Sequence, residues 1–295
     1  MQWQTDWGLR ARMALTMLLL FGLYVVFVGV LTAYFGSLLI PVVLLGSFSL
    51  VQYFFSDKLA LRSMGASRVE ASEYPRLHDR VGRLAQQADL PKPDVAVADS
   101  GTPNAFATGR SPDSAVVCVT TGLLDALDDG ELEGVLAHEL AHVKNRDVAV
   151  MTVASFLSTI AFVIVRWGWL FGGRGRNRAP VVVAVLVSLV VWVVSFVLIR
   201  ALSRYREYAA DRGAATITGR PSALASALAT ISGRMDEVPT EDLREQAEMN
   251  AFFIVPISKG FVGRLARTHP PTEERIERLH ELEREMETAA SAAHE

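Results

Sequence analysis

The sequence of 295 residues contains a single cysteine, Cys118, and only a small excess of negative charge. One cysteine excludes an intrachain disulfide framework and cysteine-rich zinc modules, so a bound metal would need histidine and carboxylate ligands. A net charge of −3 provides no basic field for nucleic acid, and we expect no nucleic-acid partner. The chain is 51% hydrophobic with a mean hydropathy of +0.27, which excludes a disordered chain and indicates a membrane protein.

Charged residues are also absent from three long runs. The run Met13–Ser56 exceeds the length of about 20 residues that crosses the hydrocarbon core, and it predicts a hairpin with arms Met13–Ala33 and Leu38–Phe55. A signal peptide is the alternative, but the run extends far beyond a signal core of about 7–15 residues. The runs Val148–Val165 and Ala179–Ile199 predict a second membrane pair, although the first also has the length of a buried or partly inserted helix.

The orientation of these spans follows from the basic residues beside them. About four spans would place the N-terminus, Asp57–Asp147 and Arg200–Glu295 on one side of the membrane. More lysine and arginine residues flank the span ends on this side than on the other, which favours the cytoplasm. We therefore expect a multi-pass protein of the cell membrane whose charged parts face the cytoplasm.

The charged stretches predict helices around a small sheet. Helical spacing of apolar residues indicates a helix over Tyr74–Leu90, and the pair Asp128 and Glu131 has the pattern of a capping box that begins an amphipathic helix. A charged helix is expected over Thr272–Thr288. Three short β patterns lie between the first two helices, at 94–98, 104–108 and 115–120. The fold class is therefore an α-helical membrane protein with an α+β domain.

The amphipathic helix carries the sequence His138-Glu139-Leu140-Ala141-His142, a His-Glu-x-x-His motif. Spacing of four residues turns both imidazoles to one helix face, where they can bind one zinc ion, with Glu139 beside them as general base. Such a carboxylate takes a proton from a zinc-bound water and returns it to the leaving amine. A chance match on an ordinary helix is the alternative, since the motif is short.

A catalytic zinc ion needs a third protein ligand. If the motif helix continued into the apolar run, His142 would stand about 9 Å from the start of that run. Glu207 would stand about 12 Å beyond the end of the last run, at a similar height, which makes it the best third ligand by position. Asp211, one turn later, could orient an imidazole. A juxtamembrane ion-pair cluster with Tyr205 at the interface is the alternative interpretation of this segment.

Four motifs together resemble the HtpX-type membrane metallopeptidases, which are gluzincins related to the CAAX prenyl endopeptidases. The motifs are 138–142 (HELAH), 203–211 (SRYREYAAD), 103–109 (PNAFATG) and 268–271 (THPP). The resemblance implies one zinc ion per chain held by His138, His142 and Glu207, with Glu139 as catalytic base. It implies a zincin-type catalytic domain and proteolysis of misfolded or damaged membrane proteins, as in a stress response.

The same resemblance assigns further parts of the site and the domains. It implies that Asn104, Ala105 and Phe106 form an edge strand that receives a peptide substrate as an added strand. It makes His269 a candidate for oxyanion stabilisation, helped by Arg275, although a simple helix start explains the segment as well. The chain then divides into a membrane hairpin (13–56), a first peptidase part with the zinc helix (57–147), a second membrane pair (148–199) and a second peptidase part with the third ligand (200–295).

Three functions stay open on the sequence alone. The first is a membrane-embedded zinc endopeptidase that acts on membrane proteins or peptides in the bilayer. The second is a CAAX-type endopeptidase for prenylated proteins. The third is a non-catalytic membrane scaffold in which zinc only joins the helices, and a closed site with four protein ligands would distinguish it.

Overall fold

The computed structural model describes residues 7–35, 46, 47, 50, 54, 56–171, 179–237 and 270–292. It forms two compact units, and we call them the sheet unit and the apolar unit. The sheet unit comprises the described residues of Phe55–Val148 and Arg206–Glu295, and the apolar unit those of Thr5–Phe54 and Ala149–Tyr205. Both units are therefore built from two separate segments of the chain.

The sheet unit contains four strands and the helices that pack on them. The strands are β1 (Ala66–Arg68), β2 (Asp94–Ala98), β3 (Ala105–Thr108) and β4 (Val116–Thr120). Their order is β1-β2-β4-β3; β2 and β4 are parallel, and the other two pairs are antiparallel. Among the described strands β3 pairs only with β4, so it forms one edge of the sheet. Its Ala107 lies opposite Val117 of β4.

Among the described residues the sheet unit contains six complete helices, and those that begin near residues 74, 128 and 272 were predicted from the sequence. The six helices are α2 (Ser56–Ser63), α3 (Pro75–Gln87), α4 (Thr121–Ala126), α5 (Asp129–Lys144), α8 (Pro221–Glu237) and α9 (Thr272–Ala292). The capping box at the start of α5 is confirmed, since Asp128 Oδ1 accepts the Glu131 N–H at 2.8 Å and Glu131 Oε2 accepts the Asp128 N–H at 3.1 Å. The buried residues of α5 then form the centre of this unit's hydrophobic core.

Helices α5 and α8 approach each other closely at Gly134. A Cβ at this position would lie 2.8 Å from the backbone N of Leu224 and 2.9 Å from its Cα. Because these are backbone atoms, Gly134→Ala should force the helices apart and lower the free energy of unfolding by about 1–3 kcal/mol. Gly233→Ala in α8 is the matched control, since a Cβ there meets nothing within 4 Å and should stabilise the helix slightly. Equal melting temperatures of the two purified variants would contradict the close packing.

The apolar unit packs three long helices together. They are α1 (Trp7–Phe35), most of α6 (Asp147–Phe171) and the first part of α7 (Ala179–Thr218). Their buried residues, including Leu20, Phe27 and Val191, form a separate core. The Tyr24 hydroxyl donates to the carbonyl oxygen of Ala154 at 2.7 Å, which joins α1 to α6.

The prediction of about four spans is partly confirmed. Within the described residues Trp7–Thr32 and Val182–Thr218 are long and apolar enough to cross a membrane. A third candidate is α6, which bends by 41° between Asp147–Phe156 and Ser158–Arg166. Hydroxyls beside the bend, such as that of Ser155, donate to carbonyls of the preceding turn, a contact that bends helices. Most of the predicted arm 38–55 lies outside the described residues.

Candidate metal centre

Helix α5 and the part of α7 from Arg206 onward, which belongs to the sheet unit, bring together three side chains that could hold a metal ion. Helix α5 supplies His138 and His142, whose Nε2 atoms lie 3.1 Å apart. Helix α7 supplies Glu207, which lies 3.6 Å from each of these nitrogens through its two carboxylate oxygens. His138 and Glu207 are buried and His142 is partly exposed, so the group opens on the side of His142.

This donor set has the dimensions of a tetrahedral zinc site. Ligand atoms at about 2.0–2.1 Å from a tetrahedral ion lie about 3.3 Å from one another, and the three distances here are 3.1, 3.6 and 3.6 Å. In the described part of the chain the group has three members, which leaves a fourth position for substrate or water. The arrangement therefore fits an open catalytic site better than the closed site that a scaffold would need.

Behind His138 lies a buried chain of charged groups. Its Nδ1 atom is 3.0 Å from Asp211 Oδ1, as expected for a carboxylate that orients a ligating imidazole. Arg275 of α9 donates to both oxygens of Asp211, from Nη2 at 2.7 Å and from Nε at 3.0 Å. The same guanidinium lies 3.6 Å from Glu207 through Nη1. Arg275 thus supports one ligand directly and another through Asp211.

A second chain of the same type lies behind His142. Its Nδ1 atom is 2.6 Å from Asp147 Oδ2, and Asp147 Oδ1 is 2.9 Å from Arg206 Nε. Helix α5 ends at Lys144, a turn with Arg146 at φ +55° follows, and Asp147 is the first residue of α6. The expected continuation of the motif helix into the apolar run is therefore wrong, and the break is what brings Asp147 back to His142.

The net negative charge around the three side chains favours the binding of a divalent cation. Four carboxylates and two guanidinium groups lie around the two imidazoles, and with both imidazoles neutral, as metal ligands must be, the formal charge is −2: Glu139, Asp147, Glu207, Asp211, Arg206 and Arg275. Burial lowers the pKa of His138, but hydrogen bonds to Asp211 and Glu207 outweigh it and raise this pKa to about 9. The two carboxylates that favour the positive charge on His138 would also favour a metal cation at this point.

Glu139 connects the motif helix to the edge of the sheet. Its carboxylate is 5% exposed, and Oε2 accepts the backbone N–H of Ala107 at 2.8 Å. Ala107 is in β3, so Glu139, the predicted base, is hydrogen-bonded to the strand that is predicted to bind substrate. Asn104, Ala105 and Phe106 are buried, and within β3 it is Ala107 that is partly exposed.

The predicted ligands lie close together in the structure, but the residues behind His142 were not predicted. The structure brings together His138, His142 and Glu207, with Asp211 beside them and Arg275 on Asp211. The proposed oxyanion residue His269 lies outside the described residues. Asp147 and Arg206 were not predicted as site residues, since the interpretation treated both as charges flanking a span. Asp147 could have been found because it follows the His-Glu-x-x-His motif and precedes an apolar run. A charge at that position is costly unless it has a partner, and the motif offers one.

Comparison with known proteins agrees with this centre. The chain matches the model of Peptidase family M48 over residues 71–283. It is 53% identical over 290 residues to Protease HtpX homolog 2 of Methanosarcina acetivorans, covering 97% of this chain and 99% of that one. It is 52% identical over 292 residues to Protease HtpX homolog 1 of Streptomyces coelicolor, covering 97% and 96%. The crystal structure of S. mikatae Ste24p is similar with a TM-score of 0.53 at 19% identity, covering 92% of this chain and 66% of that chain, which shows a shared fold. The predicted resemblance is confirmed, and the chain belongs to peptidase family M48 as a membrane metalloprotease.

Proposed function

We propose that this membrane metalloprotease is a zinc endopeptidase that hydrolyses peptide bonds of misfolded or damaged membrane proteins. The observation that carries the proposal is the group formed by His138, His142 and Glu207, with Glu139 on the same helix and bonded to the edge strand. We assign the three ligands to one zinc ion per chain and Glu139 to general-base catalysis.

The residues of the site have separate proposed roles. When bound, zinc would polarise the peptide carbonyl and lower the pKa of the attacking water. Glu139 takes the proton of that water and passes it to the leaving amine. The N–H of Ala107 fixes one oxygen of this carboxylate, so the base keeps its place beside the strand. Because Arg275 is bound to both oxygens of Asp211, we assign it to positioning of the ligands and leave oxyanion stabilisation to His269.

The edge strand supports the proposed class of substrate. A peptide that pairs with β3 must be extended, since main-chain hydrogen bonds form only along an open strand. An intact membrane helix has its backbone groups bonded internally and cannot pair in this way. Unfolded or damaged segments can, which supports a role in quality control. The basic residues beside the spans support a catalytic domain that faces the cytoplasm.

The second candidate is the cleavage of prenylated CAAX proteins, the activity of the endopeptidases to which the HtpX-type family is related. Both candidates need the same metal and the same base. They differ in the substrate, so a direct comparison of substrates separates them.

The test is proteolysis by the detergent-purified protein, with chelation and zinc add-back. We expect cleavage of an unfolded membrane protein, little cleavage of the same protein when folded, complete loss with a chelator, and recovery with zinc. Activity that persists in the presence of the chelator would contradict the metal assignment. Faster cleavage of a prenylated CAAX peptide than of the unfolded membrane protein would favour the second candidate.

A further inference from the structure

We propose that Asp147, held by Arg206, is a positioning residue that prepares His142 for the metal. The inference rests on the zinc site proposed above, and it concerns residues outside the ligand set. Asp147 is 2% exposed, and its Oδ2 atom lies 2.6 Å from His142 Nδ1. This is the short distance of a charge-assisted hydrogen bond.

The first consequence is the tautomer of His142. A neutral imidazole carries its proton on one nitrogen, and a carboxylate beside Nδ1 holds the proton there. The lone pair is then on Nε2, the nitrogen that faces His138 and Glu207. Without Asp147 the ring could rotate or present a proton to the metal.

The second consequence concerns the charge of Asp147 itself. A buried carboxylate stays ionised only if a positive group or hydrogen-bond donors compensate for its lost hydration. Arg206 Nε lies 2.9 Å from Oδ1, and the start of α6 places positive helix-dipole charge at the same point. Arg206 precedes Glu207 in the chain, so the ion pair also joins the segment of the third ligand to the segment of His142.

The backbone between the two helices is shaped for this contact. Asn145 ends α5 with its N–H bonded to the Ala141 carbonyl at 2.9 Å, and the Arg146 N–H bonds to the Val143 carbonyl at 3.1 Å. Arg146 adopts φ +55°, which costs about 1 kcal/mol or more for a residue other than glycine. This turn places Asp147 next to His142, which lies five residues before it in the chain.

The same arrangement, an imidazole next to a carboxylate that is paired with an arginine, therefore occurs twice in the centre. His138 is backed by Asp211 and Arg275, and His142 is backed by Asp147 and Arg206. Two nitrogens 3.1 Å apart must both present lone pairs, an arrangement that the free rings would avoid. Each Arg-Asp pair enforces it on one ring.

The experiment measures zinc affinity of the full-length protein in detergent by competition with a chromophoric chelator. Asp147→Asn should weaken zinc binding by about 10–100-fold, the usual effect of removing a carboxylate behind a ligating histidine. Asp125→Asn is the matched control, since Asp125 is exposed on α4, and it should bind zinc like the wild type. The melting temperature of the zinc-free protein is recorded for every variant, so that loss of affinity is separated from loss of folding.

Arg206→Gln provides the second variant, in which Asp147 remains. It should weaken zinc binding by a smaller factor, and the double variant should lose less than the product of both factors, because the two residues act through one contact. Wild-type zinc affinity in a folded Asp147→Asn protein would overturn the inference; if that variant does not fold, unchanged affinity in Arg206→Gln would do so. Failure of the wild type to bind zinc would instead overturn the proposed function.

Discussion

Glu139→Gln should lower the rate of peptide-bond hydrolysis by about 10²–10⁴-fold while zinc remains bound. The glutamine oxygen can still accept the N–H of Ala107, which is 2.8 Å from Oε2 in the wild type, so β3 keeps its position. None of the three ligand atoms belongs to Glu139. The substitution therefore removes the base and little else.

The measurement is the cleavage rate of an unfolded membrane protein, together with metal analysis of the same preparation. Glu277→Gln is a suitable control, because Glu277 is exposed on α9 and should leave both quantities unchanged. Wild-type cleavage by a zinc-loaded Glu139→Gln protein would show that another group activates the water. Loss of zinc together with loss of cleavage would place Glu139 in the metal-binding set.

Arg275→Met should lower the free energy of unfolding by about 3–5 kcal/mol, the largest stability effect that we expect in the sheet unit. Burial lowers the pKa of Arg275, but Asp211 and Glu207 more than reverse this, so the guanidinium stays charged. Its removal leaves Asp211 as a buried charge without the two donors at 2.7 and 3.0 Å. A stranded charge costs far more than the loss of an exposed ion pair.

The check is the melting temperature of the zinc-free protein, which should fall by about 6–20 °C. Arg278→Met is the control on the same helix: this half-exposed arginine pairs with Glu274 at 3.2 Å and should change stability by only about 1 kcal/mol. Adding Asp211→Asn to Arg275→Met should recover part of the loss, because the stranded charge is then removed. An effect no larger than that of Arg278→Met would contradict the charge argument.

Local features of the fold followed directly from the sequence. The capping box of Asp128 and Glu131, the helix that carries the His-Glu-x-x-His motif and three of the four described strands each depend on neighbouring residues; β1 was not predicted. The lengths of the apolar runs predicted Glu207 as the third ligand, and the structure places it 3.6 Å from His142 Nε2, although one premise, a continuous helix through residue 146, was wrong. The ligands still meet because α7 is continuous from Ala179 to Thr218 and carries Glu207 beyond the last apolar run.

The missing parts depend on conformations and contacts that local patterns do not encode. Arginine rarely adopts positive φ, so no local sequence pattern around Arg146 predicts the turn that places Asp147 next to His142. The contact of Arg275 with Asp211 joins residues 64 positions apart. The sequence suggested a role for Arg275 next to substrate, whereas its contacts are those of a buried support for the ligands.

The division of the sheet unit into two chain segments has a consequence for biosynthesis. The ribosome makes the histidine pair first, then α6, then α7 with Glu207, and Arg275 only later. A nascent chain that has reached the histidines lacks the third ligand and both arginines behind the ligands. The complete group of histidines, Glu207 and supporting arginines can therefore form only after Arg275 has been synthesised.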